Sequence, residues 1–219
     1  MKVRPLFILL LFLLSTAILG WLCHVASRRP EGLAPHDPQR DETLADLDAC
    51  GRRKHAKSMQ YEYFAQIASE EEHSSCARLF RAMALSERVH EGICAEAIVR
   101  LGGHYEPPVR VVVFRGTTDG NLARSIRYEQ QSIDERCGRE IHRALAAGNR
   151  YAAQVLARAD AGDRQHVVLL KQHRQPDRLP VERCIYAVCP ECGNLLCVEH
   201  EPEFCPYCLT AQARFVRFE

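Results

Sequence analysis

The sequence predicts an all-α fold: a four-helix bundle with one long crossover, followed by a small C-terminal four-cysteine metal domain and preceded by an N-terminal hydrophobic anchor helix. Three observations carry this prediction. Two stretches with apolar residues at helical spacing each fold back as a hairpin, and a long extended segment separates them. Two Cys-x2-Cys pairs lie near the end of the chain. An apolar run of bilayer-spanning length lies near its start.

The run "PLFILLLFLLSTAILGWLCHVA", residues 5–26, is flanked by Lys2 and Arg4 on one side and by Arg28 and Arg29 on the other. About 20 apolar residues span the hydrocarbon core of a bilayer, whereas a signal-peptide core runs roughly 7–15. Residues 1–26 are therefore expected to be an uncleaved membrane anchor. The alternative is an exported protein freed by signal cleavage. Positive charge on both flanks leaves the membrane side undecided. Residues 27–42, with three prolines and many charges, read as a linker.

With 219 residues and 47% hydrophobic content, the chain can bury a helical domain and a small appendage. Its 29 basic and 28 acidic side chains give a net charge of +1, so nothing electrostatic points to nucleic acid as a partner. Of its 11 cysteines, Cys23, Cys50, Cys76, Cys94, Cys137, Cys184 and Cys197 are scattered. Their usage suits a reducing compartment rather than a disulfide framework.

The bundle is expected over 43–175. Leu47, Tyr61, Phe64, Ile67 and Ala68 share one helix face, and Cys76, Leu79, Phe80, Met83 and Ile93 share another. "EEEHSS" at 70–75 joins the two as a solvated helix end, and "RLGGHYEPP" at 100–108 stops the second helix. "VRVVVFRGTTDG" at 109–120 reads as the extended crossover. Helical patterns over about 121–146 and 149–173, split by "AAGN", complete the second hairpin. Hairpin, long crossover, hairpin is the connectivity of ferritin-like four-helix bundles. Sliding the second half back by 76 residues lays "AAQVL" on "CARLF" and "DRQH" on "ERVH", a weak internal repeat.

The repeat superposes two acid-x-x-His pairs, Glu87/His90 and Asp163/His166. An acid and a histidine at i and i+3 lie on the same helix face and can reach one point beside the axis. In di-iron carboxylate bundles each such pair is joined by a Glu from another helix. Glu129 in "RYEQQS" supplies that acid from the third helix. On the first helix, strict symmetry lands on Arg53, with Lys54 beside it, and neither is an acid.

Near the C-terminus, "CPECG" at 189–193 and "CPYC" at 205–208 place Cys189, Cys192, Cys205 and Cys208 as two metal-binding knuckles within a 183–219 domain. Four thiolates suit either Zn(II) or a single Fe.

Together "YEYFAQIASEE", "SERVHE", "GTTDGNL", "DRQH", and "VCPECGN" through "FCPYC" to "ARFVRF" resemble the rubrerythrin family, a ferritin-like di-iron domain fused to a rubredoxin-like one. The resemblance covers roughly residues 43–219. It implies an NADH-linked peroxidase: a di-iron centre reduces hydrogen peroxide to water, with electrons relayed from an external reductase through the rubredoxin-type iron. It implies that Glu87 and His90 serve one iron, that Glu129, Asp163 and His166 serve the other half, and that Tyr61 stands beside the metals. Cys189, Cys192, Cys205 and Cys208 would hold the mononuclear iron, or zinc in its place. A homodimer is also implied. Lys54 falls where the family has a first-helix carboxylate, Ser132 where it has a second Glu, and Asp163 where it has a longer Glu. Two Fe(II) ions carry +4, which fewer carboxylates neutralise poorly. A full di-iron centre, a single or weakened site, and a metal-free bundle with Lys54 paired to Glu87 in one metal position are all open on the sequence. His55 is a substitute ligand in type, but it points about 100° away around the helix.

Overall fold

The computed structural model describes residues 37–174 and 184–219. The expected anchor at 1–26, the linker as far as residue 36, and residues 175–183 lie outside the described residues. Among those described, no helix is long and apolar enough to cross a membrane.

Four long helical rods make the bundle: α1 (Pro38–Glu70), α2 (Ser74–Arg100), a third rod from α3 (Thr118–Ser132) through a π-helical turn (Ile133–Cys137) into α4 (Gly138–Ala146), and α5 (Arg150–Arg174). The first helix begins five residues before the expected Thr43, so the end of the expected linker is helical. Proline fits the first helical position, where its missing N–H costs nothing, and Asp41 lies in the positively polarised first turn. Arg40 Nε then donates to Leu101 O at 3.0 Å, tying this turn to the end of α2. "EEEHSS" is an exposed helix junction, as expected. The crossover stays extended until Thr117, whose side chain caps α3 by accepting from Gly120 N at 3.3 Å. The third rod keeps helical dihedrals through its π turn, which rotates the side chains beyond Ser132 relative to those before it.

Two apolar layers fill the bundle. Leu47, Cys50, Cys94, Ile98 and Leu156 form one, and Tyr61, Phe64, Phe80, Met83 and Leu170 form the other. The second layer continues without a break into Tyr186, Val188 and Leu195 of the C-terminal unit.

That unit is a three-stranded antiparallel sheet, β1 (Ile185–Val188), β2 (Leu195–Val198) and β3 (Val216–Phe218), with β1 in the middle. Tyr186 pairs with Cys197 on one side and Phe218 on the other. This pairing also brings Cys184 to Cys197, at a Cα separation of 5.4 Å, where they form a disulfide. The expectation that all the scattered cysteines are unpaired is corrected here, because strand register unites residues 13 apart in sequence.

The sheet is fastened to the bundle at His173 of α5, which lies 2.5 Å from the Tyr186 hydroxyl through Nε2 and 3.5 Å from Cys76 Sγ through Nδ1. Burial, helped by the charge of Arg78, pushes this imidazole down to about 4. The folded state therefore holds His173 neutral, whereas the unfolded chain protonates it near the ordinary value of about 6.5. Its contribution is fully present above about pH 6.5 and is lost as pH falls towards 4. Allowing for partial exposure, we expect about 1–2 kcal/mol less stability at pH 5 than at pH 7.5 from this residue. Urea midpoints at the two pH values check this, and an undiminished difference in His173→Gln would rule His173 out as its source.

Candidate metal centres

Between the two apolar layers of the bundle lies a layer of buried ionisable groups. Glu87 and His166 enter from α2 and α5, Glu129 from α3 and Asp163 from α5, all at most 1% exposed. One donor atom from each of these four lies within 4.8 Å of the others, so the group is of a kind that could hold a metal ion. His90, though buried, is not one of the four converging donors. Its Nδ1 is 3.8 Å from Glu87 Oε2.

His90 faces the first cysteine knuckle. A Cβ on Gly162 would stand 2.3 Å from His90 Cε1, and one on Gly193 2.6 Å from His90 Nε2. The ring therefore occupies a slot that two glycines keep open between α5 and the knuckle. Gly193 also needs its freedom for a left-handed φ of +75°. His55 is likewise turned away from the layer, pairing with Glu91 at 3.0 Å, and Glu91 also accepts from the Tyr105 hydroxyl.

Two lysines from α1 point into the same layer. Lys54 Nζ donates to Asp163 Oδ1 at 2.5 Å and to Ala159 O at 3.2 Å, and it lies 2.9 Å from Glu87 Oε2 as an ion pair. Lys57 Nζ bonds Glu129 Oε2, donates to Asp163 Oδ1 at 2.8 Å and lies 3.7 Å from Glu87 Oε1. Sequence reasoning identified Lys54 but missed Lys57. The signal for it was present: Lys57 stands three residues after Lys54 and four before the inward Tyr61, on the same helical stripe.

Tyr61 donates to Glu129 Oε1 at 2.5 Å. Ser132, where the resemblance led one to expect a carboxylate, is 3.2 Å from Asp163 Oδ2. A cavity of about 240 Å³ reaches Lys57 and Tyr61 from outside, walled by Phe64, Phe114, Arg124 and Tyr128.

The electrostatics of the layer follow from these contacts. Burial opposes charge on Lys54 and Lys57, but Asp163 and the neighbouring glutamates outweigh it and hold both ammoniums charged well above their usual range. Burial likewise opposes charge on Glu87 and Asp163, and the two lysines reverse it and hold both below the ordinary carboxylate range. Glu129 is pushed up, by burial and then by the charge of Asp163.

His166 lies 3.3 Å from Glu129 and 3.4 Å from Glu87 through Nδ1, and 3.1 Å from Ser86 Oγ through Nε2. The Ser86 hydroxyl proton is committed to Gly193 O at 2.6 Å, so Nε2 must donate to Oγ. Nδ1, between two carboxylates, must donate as well. Both nitrogens carry protons, in accord with an imidazole raised to about 9 by those hydrogen bonds in spite of burial. Three carboxylates, two ammoniums and one imidazolium then sum to zero. Two divalent ions would add four positive charges to a group already balanced, in which Asp163 Oδ1 and Glu129 Oε2 accept from the ammoniums and the two Glu87 oxygens face them as ion pairs without a hydrogen bond. As it stands, the layer does not fit a two-metal centre.

The second centre does fit a metal. Cys189 Sγ lies 3.5 Å from Cys208 Sγ, and Cys192 Sγ 3.6 Å from Cys205 Sγ, with all four within 4.8 Å of one another. Sulfurs about 2.3 Å from one ion at tetrahedral angles are spaced in this way. The backbone N–H groups of Glu191 and Cys192 favour the thiolate form of Cys189 against burial, that of Asn194 favours it at Cys192, and that of Thr210 at Cys208. The Thr210 hydroxyl adds a contact to Cys208 at 3.1 Å.

Comparison with known proteins agrees with this arrangement. Nigerythrin of Nitratidesulfovibrio vulgaris is 26% identical over 177 residues, which cover 80% of this chain and 86% of nigerythrin. The structure of fully reduced, all-ferrous nigerythrin superposes with a TM-score of 0.68 at 24% identity, covering 86% of this chain and 90% of that one. Mycobacterium tuberculosis bacterioferritin shares the bundle fold, with a TM-score of 0.57 at 20% identity over 68% of this chain and 92% of its own. The rubrerythrin family profile matches residues 55–172, more than half of the sequence. With its four-rod bundle, its buried carboxylate layer and its terminal cysteine knuckles, this chain belongs to the rubrerythrin family.

Proposed function

We propose that the working centre of this chain is the four-cysteine site, where Cys189, Cys192, Cys205 and Cys208 hold a single iron that accepts and passes on one electron at a time. The observation that carries the reading is the sulfur geometry, four Sγ atoms within 4.8 Å of one another at the spacing a single tetrahedral ion requires. Four thiolates around a single iron give a one-electron couple, whereas zinc in the same place has no second redox state. The bundle supports the centre from one side: Ser86 grips the knuckle at Gly193 O, and His90 fills the slot behind it. An external reductase would be the electron donor. Attachment to a membrane through residues 5–26 and pairing with a second copy belong to the same reading.

One observation favours a second reading, peroxide reduction inside the bundle. Tyr61, Glu87, Glu129, Asp163 and His166 still converge, and Ser86 links His166 to the cysteine knuckle. That chemistry would require Lys54 and Lys57 to yield their positions.

Metal analysis and visible spectroscopy of the purified full-length chain separate these readings. We expect about one iron per chain with thiolate-to-iron absorption bands, both lost in Cys192→Ser. Zinc alone in the wild-type chain would overturn the electron-carrier reading. About three irons per chain, with peroxide turnover, would favour the second reading over the first.

A further inference from the structure

We propose that Lys54 and Lys57 are built-in cations that stand in for two metal ions at the centre of the bundle, so that its buried carboxylates are held in place with no metal between them. This goes beyond the reading above and is independent of which ion the cysteines hold.

The groups are connected as a bridged pair of cations. Asp163 touches both ammoniums through one oxygen, at 2.5 and 2.8 Å, and Glu87 also spans them, at 2.9 and 3.7 Å. Two carboxylates thus bridge two cationic centres, while Glu129 is a terminal partner of Lys57. Lys54 donates to Asp163 Oδ1 and to Ala159 O, and it faces Glu87 Oε2 at 2.9 Å as an ion pair. Neither lysine is more than 2% exposed.

Lysine is almost never so buried unless paired, because the desolvated charge must be met by opposite charge nearby. Here the need is mutual. Without the lysines, three buried carboxylates would share the layer with one imidazolium. Spacing on α1 makes the substitution possible: residues 54 and 57 are one turn apart on the inward stripe, and each stem is long enough to bring its charge to the bundle axis.

The test is a full-length Lys54→Met/Lys57→Met variant, compared with the wild-type chain and titrated anaerobically with Fe(II) and with Mn(II). Methionine keeps the stem volume and removes the charge. The wild-type chain should take up no metal beyond its cysteine site, and its melting temperature should not respond to added Mn(II). The variant should melt lower and gain about two ions per chain, with its melting temperature rising as metal is added. Two extra ions in the wild-type chain would overturn the proposal. So would a variant that melts like wild type and ignores metal. Should the double variant fail to fold without metal, refolding in the presence of Mn(II) gives the same reading: recovery supports the proposal, and no recovery together with metal uptake by the wild type refutes it. A change confined to the cysteine site would leave these outcomes untouched, because Mn(II) is a hard ion that prefers carboxylate to thiolate.

Discussion

Asp163→Ala is expected to destabilise the chain by about 3–5 kcal/mol, the cost of leaving buried charges without their partner. Among the described residues, Asp163 is the only carboxylate that donor atoms of both lysines approach within 3 Å, and its second oxygen accepts from Ser132. Removing it leaves two ammoniums and the His166 imidazolium facing Glu87 and Glu129, one positive charge too many among buried side chains. For a folded region of this size the loss corresponds to a fall in melting temperature of roughly 6–20 °C. Asp163→Asn keeps the volume and one acceptor oxygen, and should fall between wild type and alanine. Urea unfolding of the three proteins measures the series, and a loss of less than about 1 kcal/mol for alanine would mean that the layer rearranges or admits water.

The second large effect is expected from Cys192→Ser. The small core of the C-terminal unit is Ala187, Cys189, Cys192, Cys205 and Phe215, so three of its five buried residues are metal-ligand candidates. Once the metal is gone, this small core keeps only Ala187 and Phe215 as hydrocarbon, and what is left to support the unit is the Cys184–Cys197 disulfide and the packing of Tyr186, Val188 and Leu195 on the bundle. In small metal-stapled domains the apparent binding free energy of about 10–16 kcal/mol is in effect folding free energy. We expect the variant to lose its tetrathiolate metal and the amide-exchange protection of β1, β2 and β3, while the helices of the bundle keep theirs. Hydrogen exchange resolved along the chain gives the answer. Retained protection in β1 alone would show that Tyr186 and Val188, which pack into the bundle core, hold that strand without metal.

Much of this architecture was legible in the sequence because it is local. The helical stripe of Leu47, Tyr61 and Phe64, the i, i+3 pairs Glu87/His90 and Asp163/His166, and the Cys-x2-Cys spacings all lie within a few turns of chain, where periodicity decides geometry. The parts that were not legible depend on what other segments bring. His90 shares a helix face with Glu87, yet its ring goes to the cysteine knuckle because Gly162 and Gly193 leave room there. Lys57 reads as an ordinary surface lysine until three carboxylates from other helices are placed around it, since lysine's strong bias is towards solvent. The Cys184–Cys197 disulfide follows from strand register, and no spacing rule along the chain announces it. The early start of α1 was masked by Pro38, which breaks a helix interior but suits its first turn.

The charged layer also governs alignment along the bundle axis. Apolar layers of Leu, Ala and Phe resist a helix sliding past its neighbours through shape alone, since one hydrocarbon contact can be exchanged for another where side chains repack. Moving α1 by a single turn, about 5.4 Å, would carry Lys54 and Lys57 out of reach of Asp163 and drive an ammonium into hydrocarbon on one side or the other. The groups that balance one another at the centre thus act as a key that admits one stagger of the four rods. Through Ser86 and Gly193, the same stagger fixes the height at which the cysteine knuckle meets the bundle.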